Sequence, residues 1–284
     1  VGESSRDTPI EASLIQSIPD VMHAATVSRD AELLAAELQA SGASMPIRKS
    51  LKVREVSLPE VGNDEVLVEV MASSINYNTI WTARFEPVST FRFLDQYASS
   101  AGRRGKHRLP YHVVGSDASG VVRRVGADVD RWRVGDHIVA HCLVVDLQLP
   151  NGHDDALLDP GQKIWGYETN FGGLAQFALV KANQLLPKPE HLTWEESAST
   201  GLVCSTAYRQ LVSRNGANMK QGDLVLVWGA VGGLGSYATQ FVVNGGGYPI
   251  AVVSGPERAQ AAKSLGAEMV IDREANNYKF FDDS

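Results

Sequence analysis

The sequence predicts a two-domain protein, a mostly antiparallel β domain followed by the first half of a doubly wound parallel α/β domain. Three features predict this. Alternating apolar and polar runs broken by Gly and Asp fill the first two-thirds of the chain. Near His191 the texture changes to strands and helices in alternation. A glycine-rich turn at residues 229–235 then sits between an apolar strand and a helix. The chain has 284 residues, 44% of them hydrophobic and 21% charged, enough for two domains at about 100–200 residues each. The expected domains are 1–192, an N-terminal extension with the β domain, and 193–284, the half-domain with parallel strands.

Residues 28–40 read as a helix with Ser28 as N-cap and Leu33, Leu34 and Leu38 at helical spacing. Residues 50–70 alternate on either side of Gly62 and Asn63, which suggests a β-hairpin. Strand-like segments come next at 113–126, 136–145 and 171–182. A helix opens at Thr193 with Glu196 at the capping-box position and runs to about 212. After it the order is strand (223–230), helix (236–246), strand (248–255), helix (256–266) and strand (267–274), a β-α-β-α-β unit. A complete doubly wound domain needs about three more strands, so these residues read as an excerpt of a longer product. Val1 in place of Met suggests a trimmed or tagged start.

Composition excludes several classes. No apolar run approaches the ~20 residues of a membrane span, so no membrane partner is expected. The start lacks a basic-then-apolar leader. Two cysteines, Cys142 and Cys204, are too few for a disulfide framework and fit a reducing cytoplasm. A net charge of -7 argues against a nucleic-acid partner.

The glycine turn carries the first chemistry. Ala230, Gly232 and Gly235 can supply the tight turn, the close approach to a pyrophosphate and the helix–strand contact of a dinucleotide fingerprint. Gly233 and Leu234 complete the loop, and the pyrophosphate would rest on the helix N-terminus. The bland alternative is a glycine-rich loop with no ligand. The second strand ends in Ser254 and Gly255 with no acid, and Arg258 comes shortly after. A hydroxyl and a cation suit a ribose 2′-phosphate, so the expected cofactor is NADPH. Arg258 as a solvated surface charge is the alternative.

No metal is expected. Of seven histidines only His137 and His141 lie close in sequence, with Cys142 beside them. On one strand, positions four apart are about 13 Å apart, too far to chelate one ion.

Several stretches together resemble the crotonyl-CoA carboxylase/reductase branch of the zinc-independent medium-chain dehydrogenase/reductases: 72–91 with its INYNTIW core, 109–122, 134–142, 164–196 with GYETNFGGLA, and 205–223. The resemblance covers nearly the whole chain from about Lys49. Where zinc alcohol dehydrogenases of the same plan carry Cys and Gly-His-Glu, this chain has INYNT and Gly-Ser-Asp at 115–117. The resemblance implies a GroES-like domain ahead of a Rossmann half, and a cytoplasmic, usually tetrameric enzyme. It implies hydride transfer from NADPH to Cβ of an α,β-unsaturated acyl-CoA, then attack of the enolate on CO2 to give an alkylmalonyl-CoA. It further implies Asn78 at one CO2 oxygen, Glu168 ordering a water at the other, and Tyr167 shielding the site; family members often have Phe at that last position. A turn role for Asn76 and Asn78, a solvated charge at Glu168 and core packing for Tyr167 stay open on residue type alone. So do a plain enoyl or quinone reductase and a catalytically incomplete NADPH-binding fragment. Acyl chain length, and service to polyketide extender supply or to central carbon metabolism, are not legible.

Overall fold

The computed structural model describes residues 18–100, 104–147 and 155–275. They divide into two compact units, the first holding 18–147 and 156–198, the second Asp155 and 199–275.

Strand β1 (Val21–Ser28) opens the first unit and runs directly into helix α1 (Arg29–Ala40). The Ser28 hydroxyl caps that helix by accepting from the Ala31 N–H at 3.3 Å. Its core side is Ala35, with Ala31 and Leu38, against Phe91 and Leu94. Leu33 and Leu34 point outward, so the leucine spacing marks the helix without marking its buried face.

A single turn, α2 (Ile47–Ser50), leads to β2 (Lys52–Ser57) and then β3 (Glu65–Ala72). The hairpin expected between these two strands does not form. β2 pairs antiparallel with β1, Val21 facing Ser57 and Thr26 facing Lys52. β3 lies in another sheet, between two later strands. Burial explains the choice. Val66, Leu67 and Val68 are all buried, which requires cover on both faces of β3. β2 buries only Val56 and serves as an edge.

Helices α3 (Tyr77–Arg84) and α4 (Thr90–Ser99) come next, then strands β4 (Tyr111–Val113), β5 (Ala118–Val125), β6 (His137–Ala140), β7 (Leu143–Val144), β8 (Lys163–Ile164), β9 (Phe177–Lys181) and β10 (Leu185–Pro187). They build a five-stranded antiparallel sheet in the order β10-β6-β5-β3-β9 and a three-stranded one in the order β2-β1-β4. The main core gathers Val66, Val68, Val122, Ile138 and Val180 around the buried indole of Trp165. Each such side chain contributes about 1.5–3 kcal/mol by leaving water. The indole N–H is shared between the Leu179 carbonyl at 3.0 Å and the Phe171 carbonyl at 3.2 Å.

The helix expected from 193 to about 212 is two helices. α5 (Trp194–Ala198) opens with the anticipated capping box: the Glu196 N–H donates to the Thr193 hydroxyl, and the Glu196 carboxylate accepts from the Thr193 N–H. It packs on β3 and β5 of the first unit. After a break at 199–202, α6 (Val203–Leu211) belongs to the second unit. One stretch thus contributes a helix to each unit, and the break lies where the unit changes.

The second unit continues with β11 (Leu224–Trp228), α7 (Gly233–Asn244), β12 (Tyr248–Val253), α8 (Pro256–Ser264) and β13 (Met269–Asp272). The strands are parallel in the order β11-β12-β13. Val227, Val242, Ala251, Val253 and Ala262 form its core. The register sets Trp228 beside Val252 and Val253 beside Asp272, so the three carboxyl ends lie level. Residues 276–284, including the terminal FFDDS, lie outside the described residues.

Candidate active site

The second unit places its glycine turn at those level strand ends. Gly232 is the N-cap of α7, whose first N–H groups are therefore open to an anion. A cleft of about 380 Å³ is lined by Trp228, Gly229, Val231, Gly232, Val252, Val253, Ser254, Arg258 and Arg273. Gly232, Ser254 and Arg258 of the expected set face it. Gly235 does not: a Cβ there would collide with the Gly229 carbonyl oxygen, so it serves the close packing of helix on strand. Ala230 is buried, and its carbonyl accepts from Thr239 Oγ1 at 3.3 Å. Gly233 lies beside Val203, and Leu234 is exposed.

Arg273 is the residue sequence reasoning missed here. Its Nε and Nη2 donate to the Ser254 hydroxyl at 3.1 and 2.6 Å, and its guanidinium lies 5.5 Å from the Trp228 ring centre. Arg258 donates to the Ser254 carbonyl at a long 3.4 Å and is exposed. Asp272 is occupied with backbone, accepting from the Gly255 N–H at 2.9 Å and the Glu274 N–H at 3.0 Å. The Gly255 bond is what holds its carboxyl below the usual range. A cleft with a helix N-terminus, a hydroxyl and two guanidinium groups fits a dinucleotide bearing a 2′-phosphate.

In the first unit the candidates gather on one segment, residues 114–117. Asn78, in the first turn of α3, donates through Nδ2 to Ser116 Oγ at 3.0 Å, and that hydroxyl is 3.3 Å from Asn78 Oδ1. Asn76, the N-cap residue, makes no side-chain cap and donates instead to the Asp117 carboxylate at 2.6 Å. The same carboxylate oxygen accepts from the Ser74 hydroxyl, and Ser73 Oγ donates to the Asp117 carbonyl at 2.7 Å. Asp117 is fully buried.

The turn bearing Tyr167 and Glu168 is seated on the same segment by glycines. Gly115, Gly166 and Gly172 have positive φ or backbone in contact where a Cβ would stand: at Gly166 and Gly172 it would meet the Gly115 carbonyl, at Gly173 the Asp117 carbonyl. Asn170 closes the turn from beneath. Its Oδ1 accepts from the Val113 and Phe171 N–H groups, both at 2.8 Å, and its Nδ2 donates to the Tyr111 carbonyl at 2.9 Å. The Asn170 N–H donates to Nδ1 of buried His107 at 3.1 Å.

Glu168 turns one oxygen onto its own loop, Oε2 accepting from the Ile164 N–H at 2.7 Å. Tyr167 is half-buried between Phe93, with ring centres 5.8 Å apart, and Trp81 at 6.5 Å; Trp81 meets Tyr77 edge-on at 5.4 Å. Burial, and secondarily the Glu168 charge, push the Tyr167 phenol upward, so it stays neutral and able to donate. Sequence reasoning gave no site role to Trp81 and Phe93, and read Ser116 and Asp117 only as the replacement for the His-Glu of zinc enzymes.

His137 packs edge-on against Trp194 at 4.8 Å, and His141 Nδ1 accepts from the Leu143 N–H at 3.1 Å. Burial, then the charge of Asp117, push the Cys142 thiol up to about 12, so it carries no thiolate. Among the described residues no three His, Cys, Asp or Glu side chains gather as a metal would require, and no helix is long and apolar enough to cross a membrane.

Comparison with known proteins gives this geometry its lineage. Residues 62–190 match the alcohol dehydrogenase GroES-like domain. The crotonyl-CoA reductase of Streptomyces collinus is 59% identical over 266 residues, 94% of this chain and 59% of the relative. The crotonyl-CoA carboxylase/reductase of Cereibacter sphaeroides is 43% identical over 79% of this chain and 50% of its own. The chain thus spans 59% or less of these relatives' length. Among solved structures, the 2-octenoyl-CoA carboxylase reductase CinF, in complex with NADP and 2-octenoyl-CoA, superposes with a TM-score of 0.87 at 53% identity, over 92% of this chain and 58% of CinF. Over the residues matched, the chain is a homologue of the crotonyl-CoA carboxylase/reductases, within the medium-chain dehydrogenase/reductase superfamily.

Proposed function

We propose that the protein catalyses NADPH-dependent reductive carboxylation of an α,β-unsaturated acyl-CoA of the crotonyl-CoA type, giving an alkylmalonyl-CoA. The observation that carries this reading is the shared anchor. Asn78 and the turn bearing Tyr167 and Glu168 are both built onto residues 114–117. NADPH held at the glycine turn supplies the hydride for Cβ; the chain's own residues decide what the resulting enolate meets. Asn78 has an N–H beyond the one given to Ser116, and a carboxamide donor suits a neutral CO2 oxygen. Glu168 keeps an oxygen beyond the one bound to Ile164, which can hold an ordered water for the second CO2 oxygen. Tyr167, backed by Trp81 and Phe93, walls off bulk water, the competing proton source.

A homo-oligomer, tetrameric by family resemblance, and a cytoplasmic setting belong to the same reading; Cys142 and Cys204 are both free, which fits a reducing compartment. The test is NADPH oxidation by the full-length protein with crotonyl-CoA, with and without bicarbonate, products identified by mass. An alkylmalonyl-CoA product is expected. Butyryl-CoA alone at saturating CO2 makes the protein a plain enoyl reductase.

A further inference from the structure

We infer that Ser116 is a positioning residue for the carboxylation step, fixing the plane of the Asn78 carboxamide; this rests on the proposed function above. A free asparagine side chain rotates broadly about its terminal torsion, because that sp³–sp² bond has no sharp staggered wells. A rotating amide presents its N–H in no fixed direction, and CO2, neutral and without a permanent dipole, cannot orient it. Ser116 removes that freedom. Its hydroxyl, 1% exposed, accepts from Asn78 Nδ2 at 3.0 Å and stands 3.3 Å from Oδ1. One small group therefore engages the edge of the amide that joins its two heteroatoms. The remaining N–H and the remaining oxygen lone pair are left facing away from Ser116 in a fixed plane. A hydroxyl both donates and accepts, so this contact fixes the plane whichever way the amide is turned.

Ser116 itself is held from two sides. Gly115 before it carries a positive φ of 108° and backs onto the Leu174 backbone. Asp117 after it is tied to Ser73 by its carbonyl and to Ser74 and Asn76 by its carboxylate. Thr82 Oγ1 donates to the Asn78 carbonyl at 2.9 Å, securing the backbone of α3 but not the side chain. Among the described residues the amide plane thus rests on one hydroxyl, and that hydroxyl is placed by the segment that also seats the Tyr167 turn.

Losing Ser116 would leave hydride transfer intact and misdirect the capture of CO2 by the enolate. The test compares the full-length wild type with Ser116→Ala, Ser116→Cys and Ser116→Thr, measuring total NADPH oxidation and the ratio of carboxylated to protonated product over a bicarbonate series. In Ser116→Ala the ratio is expected to fall about fivefold, the loss of one neutral hydrogen bond, while NADPH oxidation stays within about twofold. Ser116→Cys, of similar size with a weak donor, should fall in the same direction and carries the test if the alanine variant fails to fold. Ser116→Thr, which keeps the hydroxyl, should restore the ratio. A merely structural residue would lower both products together. An unchanged ratio in the alanine and cysteine variants, with the wild type carboxylating, overturns the role of Ser116 and leaves the carboxylase reading standing. A wild type that forms only the protonated product overturns both.

Discussion

At the scale of single residues, the choice of nicotinamide cofactor rests on charges whose geometry is unequal. Arg258 is exposed and reaches Ser254 only through a long bond to its carbonyl. Arg273 is pinned by two bonds to the Ser254 hydroxyl and backed by the Trp228 ring, so little side-chain freedom is left to lose when an anion arrives. Arg273→Gln should therefore weaken NADPH binding by about tenfold or more, the scale of a charge-assisted hydrogen bond. NADH binding should hardly change. Fluorescence titration of both cofactors measures it, and an equal loss for each would assign Arg273 to the part the two share. Ser254 and Arg258 were legible because they come directly after a recognisable strand. Arg273 was not, since only the parallel register that sets Val253 beside Asp272 brings it to the same cleft.

At the scale of elements, the sequence shows where a segment is regular more readily than what it pairs with. The alternation at 50–70 reads as two strands, and two strands are present; their joining into a hairpin was an inference from proximity. It failed because β1, upstream, takes β2 as its antiparallel neighbour. The helix starting at Thr193 was legible through its capping box, and its division at 199–202 was not, because Gly201 is the one breaker there and a lone glycine is tolerated inside a helix. The site shows the same limit. GYETNFGG announces a turn, but nothing local says that its glycines exist to meet the backbone of residues 114–117. That contact predicts a contrast. Gly166→Ala places a Cβ against the Gly115 carbonyl at a φ of 68°, whereas Gly222→Ala, at a φ of 87°, meets open space. The Gly222 variant should lose about 1 kcal/mol from backbone strain alone. The Gly166 variant should lose about 3 kcal/mol or more, because steric collision adds to the strain. On the proposed function it should also shift product from carboxylated to protonated as Tyr167 and Glu168 move. Denaturant melts and product analysis of the two variants compare these effects, and equal stability losses would show that backbone contact is not the reason for glycine at 166.

At the scale of the molecule, the support beneath the site ties folding to proton concentration. His107 and His112 are buried under the turn that carries Tyr167 and Glu168, one bonded to the Asn170 N–H, the other 3.0 Å from the Thr90 hydroxyl that opens α4. Burial, followed by the charge of Lys106, lowers the His107 pKa to about 3, and burial lowers His112 to about 4. In an unfolded chain a histidine titrates near 6.5, roughly its ordinary value. Between pH 6.5 and the lowered values the unfolded state therefore binds more protons than the folded one, and stability rises with pH across that range. Their contribution is full above about pH 6.5, declines as the pH falls, and is gone once His107 also protonates near 3. The melting temperature of the full-length protein should accordingly drop between pH 7 and pH 4. His107→Gln should flatten that slope, because an amide oxygen can still accept from the Asn170 N–H but cannot titrate. A slope as steep in the variant as in the wild type would place the acid sensitivity elsewhere, in His112 or the carboxylates. A flatter slope would mean that the polar base of the turn bearing Tyr167 and Glu168 also sets how far into acid the molecule stays folded.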